Sequence, residues 1–242
     1  MAADDASELL RGGHEALAVA DWERARSCFE RAVELEESAE ALDGLSRAVH
    51  FQGDHARAIE LTERAFASYR RRGKSVEAAD LARWLAFLHG AGQGNMAAAN
   101  GWMARAEGLL AEVEECAGHG WLILTRAPFS SDASEREQLA AAALAIGRRF
   151  GDAELEFDAL ALLGETNVAS GRVVEGMTLL DQAMAAVSAR EVVGIEAVSE
   201  IYCRLLGACE QTVDVTRAEQ WMAVMDRFVV WSHFVPPVCQ MH

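Results

Sequence analysis

Two places in the chain set a cysteine three residues before a histidine, Cys116-x-x-His119 and Cys239-x-x-His242. That spacing lets a thiolate and an imidazole share one metal ion. A structural zinc site needs two such doublets brought together. Cys203 and Cys209 could complete a thiolate set, but they are six residues apart and on a helix would point in different directions, and cysteine is as readily a small buried apolar residue. No metal or cofactor is therefore expected, and Cys239 with His242 is the pair that would hold an ion if any did. Acid–base chemistry has one candidate set, Glu165 with His14 or His50. It would work only if folding brought the carboxylate within hydrogen-bonding reach of an imidazole.

Other reactive patterns fail on their context. Gly73-Lys74-Ser75 ends like a phosphate-binding loop, yet Ser68 stands where its first glycine is required, and the run follows a helix instead of a strand. Gly90, Gly92 and Gly94 lack the preceding strand of a dinucleotide site and read as a loop insertion. Neither a Gly-x-Ser-x-Gly elbow nor a His-Glu-x-x-His pair occurs. These residues point away from catalysis.

Composition narrows the partners. The 242 residues carry 38 acidic against 22 basic side chains, a formal charge of −16, which repels phosphate backbones and excludes direct nucleic-acid contact. The basic run Arg70-Arg71-Arg72-Gly73-Lys74 falls at an expected helix end, where it complements the dipole. No stretch of about 18 apolar residues is present to span a membrane. The start, Met1-Ala-Ala-Asp-Asp, has no apolar leader, and five cysteines without framework spacing suit reduced thiols, so a cytoplasmic protein is expected.

The elements that must position these residues are helices. Alanine and leucine dominate, β-branched runs are scarce, and only 3 prolines interrupt the chain. Ala159 to Val187 contains two apolar stripes of helical period meeting at Ala169-Ser170-Gly171. Gly164 and Gly176 should face each other across that hairpin, since only small side chains let backbones approach so closely. The hairpin recurs. Ala25 and Ala58 are 33 residues apart, as are Ala32 and Ala65, while Ala58 and Ala99 are 41 apart. Six hairpins are expected at about 6–36, 38–72, 75–114, 117–150, 152–189 and 194–231, with an incomplete seventh at 235–242, all within one domain of residues 1–242. In the fourth, Pro128 breaks a short first helix and Asp132 with Glu135 forms a capping box. Trp22 and Trp221 are expected to staple hairpins together.

This register, with its Gly53-Asp54 turn followed by Ala58, Thr62 and Ala65, resembles the tetratricopeptide repeat. The irregular repeat lengths narrow the likeness, together with Leu81–Ala86, Ala99–Ala106, Ile201–Glu210, Glu219–Met222 and Cys239–His242. They resemble the helical-repeat region of actinobacterial transcriptional regulators of the LuxR/MalT kind. The resemblance implies an all-α, right-handed superhelical solenoid and a non-enzymatic binding or scaffolding role, as the sensory or protein-interaction part of a regulatory system. The helix-turn-helix that follows the repeats in that family has no basic counterpart in this chain.

By the repeat register the inner, concave face receives His14, Asp43, Arg47, His50, Trp84, Leu88, Glu165, Cys203, Gly207 and Glu210. Asp43 and Arg47 can pair, and Trp84 beside them would offer a stacking platform to a planar or cationic small molecule. Repeat proteins of this class that hold an acidic peptide terminus resemble a clamp of Lys and Asn. The equivalent positions here are Ser7, Leu10, His14, Glu40, Asp43 and Arg47, so a basic or neutral protein partner is expected. Phe228, Val229, Trp231, Phe234 and Val235 would form an apolar end face able to drive self-association.

Overall fold

One two-residue signal recurs at the turns: a residue that can take the left-handed conformation, then an aspartate or asparagine. It reads Ala20-Asp21, Gly53-Asp54, Gly94-Asn95, Gly151-Asp152 and Val213-Asp214, with φ between 55° and 89° at the first member. The second member caps the next helix. Asp21, Asp54, Asn95, Asp152 and Asp214 each accept the backbone N–H three residues on, at 3.0–3.1 Å. A left-handed residue lets one helix end and an Asx cap starts the next, so each doublet writes a tight connection.

The computed structural model describes the backbone of residues 2–232 and the side chains of residues 5–90 and 92–225. Among the described residues the chain is all-helical. It runs α1 (Ala2–Ala18), α2 (Trp22–Leu35), α3 (Ala39–Phe51), α4 (His55–Arg71), α5 (Ser75–Gln93), α6 (Met96–Leu110), α7 (Ala117–Arg126), α8 (Ala133–Phe150), α9 (Ala153–Ala169), α10 (Val173–Ser188), α11 (Ile195–Thr212) and α12 (Val215–Ser232). Within each of two compact units successive helices pack against one another, the architecture of an all-α helical repeat. The chain divides into two compact units, Met1–Glu114 and Glu115–His242, each described by itself below.

In the first unit, Phe29 of α2 is fully buried beneath Gly13 of α1 and Gly44 of α3. A Cβ at Gly13 would stand 2.6 Å from the ring, so glycine there makes room for the aromatic side chain. The α3–α4 hairpin is pinned by a buried pair of hydroxyls. Ser46 Oγ and Thr62 Oγ1 share a hydrogen bond at 2.6 Å, and both oxygens lie within reach of the Ala58 carbonyl, at 3.0 and 2.8 Å, which takes the remaining proton. Trp22 stacks on Phe51 at 4.4 Å, joining the first hairpin to the second. The glycines expected to form a loop insertion are instead helical as far as Gln93. Gly90 sits against α6, where a Cβ would come within 3.3 Å of the Ala99 side chain, and Gly94 ends the helix at φ 67°. The extra residues lengthen the helix instead of looping out.

In the second unit α7 is short and passes into a 3-10 turn at Ala127–Phe129 that contains Pro128. Asp132 caps α8 through the N–H groups of Ser134 and Glu135. The expected reciprocal arm differs. The Glu135 carboxylate takes the Ser130 hydroxyl at 2.6 Å, and Ser130 Oγ in turn accepts the Asp132 N–H at 3.2 Å. Further along, α9 and α10 meet at Gly164 and Gly176, over a core of Leu160, Leu180, Met184, Ile201 and Leu205. Trp221 of α12 donates to Asp181 of α10 at 2.8 Å, and Trp121 of α7 donates to Asp152 at 2.9 Å.

Candidate functional site

Helix α3 carries Glu40, Asp43, Arg47 and His50 at spacings of three and four, which place them along one stripe. Three settings follow one another on that stripe. At its N-terminal end is a cleft of about 490 Å³ whose lining includes Ser7 and Leu10 of α1, Glu36, Glu37, Glu40 and Arg72. Arg64 reaches Glu37 at 2.7 Å, and Arg72 reaches Glu40 at 3.6 Å. Glu36 has no ion-pair partner among the described residues. The lining is acidic, with one cation.

Mid-stripe, charges from α3 and α5 alternate. Arg47 Nε donates to Asp43 at 3.1 Å and its Nη2 to Asp80 at 3.4 Å, while Arg83 donates to Asp80 at 2.8 Å. Burial alone would raise the Asp80 pKa, but Arg83 and then Arg47 more than offset it and hold the carboxyl below its ordinary range. The Arg47 guanidinium also lies over Trp84 at 5.1 Å. Trp84 is only 2% exposed, with Phe87 stacked on it at 5.0 Å, and its indole N–H has no hydrogen-bond partner. The platform expected to stack a ligand is thus covered by the chain's own arginine. Leu88 is fully buried, and the aromatic ring open to solvent here is Phe87.

At the C-terminal end His50 meets Trp84 edge-on at 5.0 Å, and its Nδ1 lies 3.2 Å from Nδ1 of His55, the first residue of α4. His14 is apart from this group, edge-on to the buried Phe29 at 5.2 Å. Asp80 and Phe87 lie four and three residues from Trp84 on α5, and Arg83 lies three beyond Asp80. Helical spacing from Trp84 was the sequence signal that could have found Asp80 and Phe87, and the same spacing from Asp80 leads to Arg83.

The remaining candidates lie in the second unit. Glu165 accepts from Arg204 Nη1 at 3.0 Å. Arg204 also bonds Asp158 at 3.3 Å and Glu200 at 3.3 Å, with only 11% of its side chain exposed. Burial opposes its charge, yet Asp158, Glu200 and Glu165 together raise its pKa further. Glu165 is therefore engaged in an ion pair, and it belongs to the second unit while His14 and His50 belong to the first. Cys203 packs against the core, and Glu210 is exposed.

Cys116 and His119 have a structural explanation. The His119 ring accepts the Cys116 N–H at 3.2 Å and lies 3.5 Å from its Sγ, closing a capping box at the start of α7. Among the described residues no group of three or more His, Cys, Asp or Glu could hold a metal ion. Cys239 and His242, like Phe234 and Val235, lie outside the described residues. So do the side chains of Phe228, Val229 and Trp231. Among the described residues no helix is long and apolar enough to cross a membrane.

No family model matches the chain, and no curated protein matches it. Solved structures do. A kinesin-light-chain-like protein of nearly identical TPR-like repeats from Podosopora anserina, in a singly substituted form, is 18% identical with a TM-score of 0.51, over 76% of this chain and 96% of that one. The same protein without that substitution is 17% identical with a TM-score of 0.50, over 76% and 95%. BtubC (BKLC) from P. vanneervenii is 15% identical with a TM-score of 0.52, over 79% and 92%. At such identities the likeness establishes the fold alone, and that fold is a TPR-like helical repeat.

Proposed function

We propose that this chain is a non-enzymatic interaction module that seats a basic or neutral segment of a partner protein against the α3 stripe of its first unit. The cleft lined by Glu36, Glu37 and Glu40 carries this reading: Arg64 and Arg72 offset Glu37 and Glu40, and Glu36 leaves the lining acidic. By the repeat register Ser7, Leu10, His14, Glu40, Asp43 and Arg47 take the positions of the cationic and amide clamp in repeat proteins that bind an acidic terminus, and the carboxylates of Glu40 and Asp43 disfavour such a terminus here. The surrounding charge of −16 steers a cationic segment toward the chain and repels an acidic one. Mid-stripe, Arg47 and Arg83 are neutralised by Asp43 and Asp80, so that part of the face adds little net charge.

The sequence resemblance extends the proposal to a sensory or scaffolding part of a transcriptional regulatory system, with no DNA contact of its own. A peptide library varied in charge and hydropathy tests the binding role. Hits should be enriched in Lys and Arg and should weaken in Glu37→Ala and Glu40→Ala; hits without charge preference, indifferent to both, would reject it. For the regulatory role, transcripts should change when the chain is deleted in its host. An unchanged profile would reject that part while leaving the binding role standing.

A further inference from the structure

His50 and His55 occupy a turn whose backbone is fixed. Gly53 takes φ 89°, its N–H donates to the His50 carbonyl at 2.9 Å, and the Asp54 N–H donates to the Val49 carbonyl at 3.0 Å. Asp54 then caps α4 through the Arg57 N–H. These bonds anchor the last turn of α3 and the first of α4, leaving little freedom between the two histidines beyond ring rotation. His50 is further held by its edge-on contacts with Phe51, at 5.2 Å, and Trp84, at 5.0 Å. His55 is exposed, so its end of the pair is reached from solvent.

The fold does not require histidine at either place. Three residues before the left-handed position and two after it, the other hairpin turns carry Leu17 and Trp22, Ala91 and Met96, Val168 and Val173, and Glu210 and Val215. Only the second hairpin sets two imidazoles there, and their Nδ1 atoms stand 3.2 Å apart. Two nitrogens bound at about 2.0–2.1 Å in a tetrahedral site lie about 3.3 Å from each other.

We propose that His50 and His55 form a two-imidazole site for a borderline divalent ion of the Zn²⁺ or Ni²⁺ class, its remaining positions filled by water or by a group that a partner brings. Imidazole suits these ions, whereas carboxylate and carbonyl oxygens suit Mg²⁺ and Ca²⁺. Without metal, one Nδ1–H donates to the other Nδ1. When the ion binds, that proton moves to Nε2 of its own ring, so both Nδ1 lone pairs face the metal and the neutral pair loses no proton. Phe87 and Trp84 pack beside His50 and form an apolar wall on one side of the site.

Calorimetric titration of the untagged full chain with Ni²⁺ at pH 7.5 tests this, with His55→Ala as the exposed variant and His50→Gln as the conservative one. One ion should bind per chain, with affinity falling about tenfold or more in each variant, since even an outer-shell partner is worth that much. Melting without metal should be unchanged in His55→Ala, which separates ligand loss from misfolding. Lack of binding by the parent chain would overturn the proposal. So would affinity indifferent to both substitutions, or affinity lost only in Cys116→Ser or Cys239→Ser.

Discussion

A Cβ placed on Gly164 would stand 2.8 Å from the carbonyl oxygen of Gly176, and one placed on Gly176 would stand 2.5 Å from the carbonyl oxygen of Gly164. The two helices of the fifth hairpin thus approach backbone to backbone, with Leu180 and Val168 closing the contact on either side. Nothing flexible can yield there. Gly164→Leu should over-pack the crossing and cost about 1–3 kcal/mol or more, read as a lower urea midpoint. A midpoint equal to the parent's would show that the helices do not meet at these glycines.

Val213 ends α11 at φ 57° and ψ 32° with its side chain 80% exposed, a position that Gly53 and Gly171 fill in other hairpins. A β-branched residue is strained there and gains almost no burial in return. Val213→Gly should stabilise the chain by about 1 kcal/mol, relieved strain exceeding the entropy glycine adds to the unfolded chain. A fall in melting temperature would mean that Val213 makes contacts worth more than its strain.

Arg204 and Asp158 form the most buried ion pair described, their side chains 11% and 7% exposed. Removing the cation leaves Asp158 charged in a site built to neutralise it. Arg204→Met should cost about 3–5 kcal/mol. Adding Asp158→Asn should recover much of that loss, and a double variant no better than the single would contradict the account.

How far these relationships could be read in advance depended on their range. The Gly164–Gly176 contact was legible because helical period and residue size both act locally. The Gly53-Asp54 turn was legible for the same reason. Depth was not. The register grouped Trp84 with Arg47 and His50, which do touch it, but could not show that Arg47 and Phe87 would cover its ring. Arg204 escaped notice because Asp158 and Glu165 lie 46 and 39 residues away, and Asp80 because Arg47 lies 33 away. The Cys116–His119 spacing was visible, yet a helix cap and a metal doublet share it. Only the Cys116 N–H bonded to the His119 ring tells them apart.

Glu154 adds a pH dependence of defined sign. Burial raises its pKa above the ordinary 4.5; the Gly194 N–H at 2.7 Å opposes this, while Asp152 and Glu196 add to it. A carboxyl whose pKa is raised by folding contributes stability below its unfolded pKa, and loses it as the pH rises through the folded value. Glu154→Gln keeps an acceptor for Gly194 without burying a charge. Its melting temperature should match or exceed the parent's at pH 7, with the advantage shrinking toward pH 4.5. An advantage that instead grows toward pH 4.5 would reverse the assignment.

The acidic cleft at the head of α3 is the centre of the functional account, and charge reversal probes it most directly. Fluorescence anisotropy would follow a Lys/Arg-rich peptide and an Asp/Glu-rich peptide of equal length, each titrated with the parent chain and with the double variant Glu37→Arg, Glu40→Arg. The parent should bind the basic peptide and not the acidic one, more weakly as salt is added. Reversal should weaken the basic peptide about tenfold or more, equivalent to about 1.4 kcal/mol, and let the acidic peptide bind. Equal affinity of the parent for both peptides, or affinities untouched by the reversal, would contradict the account.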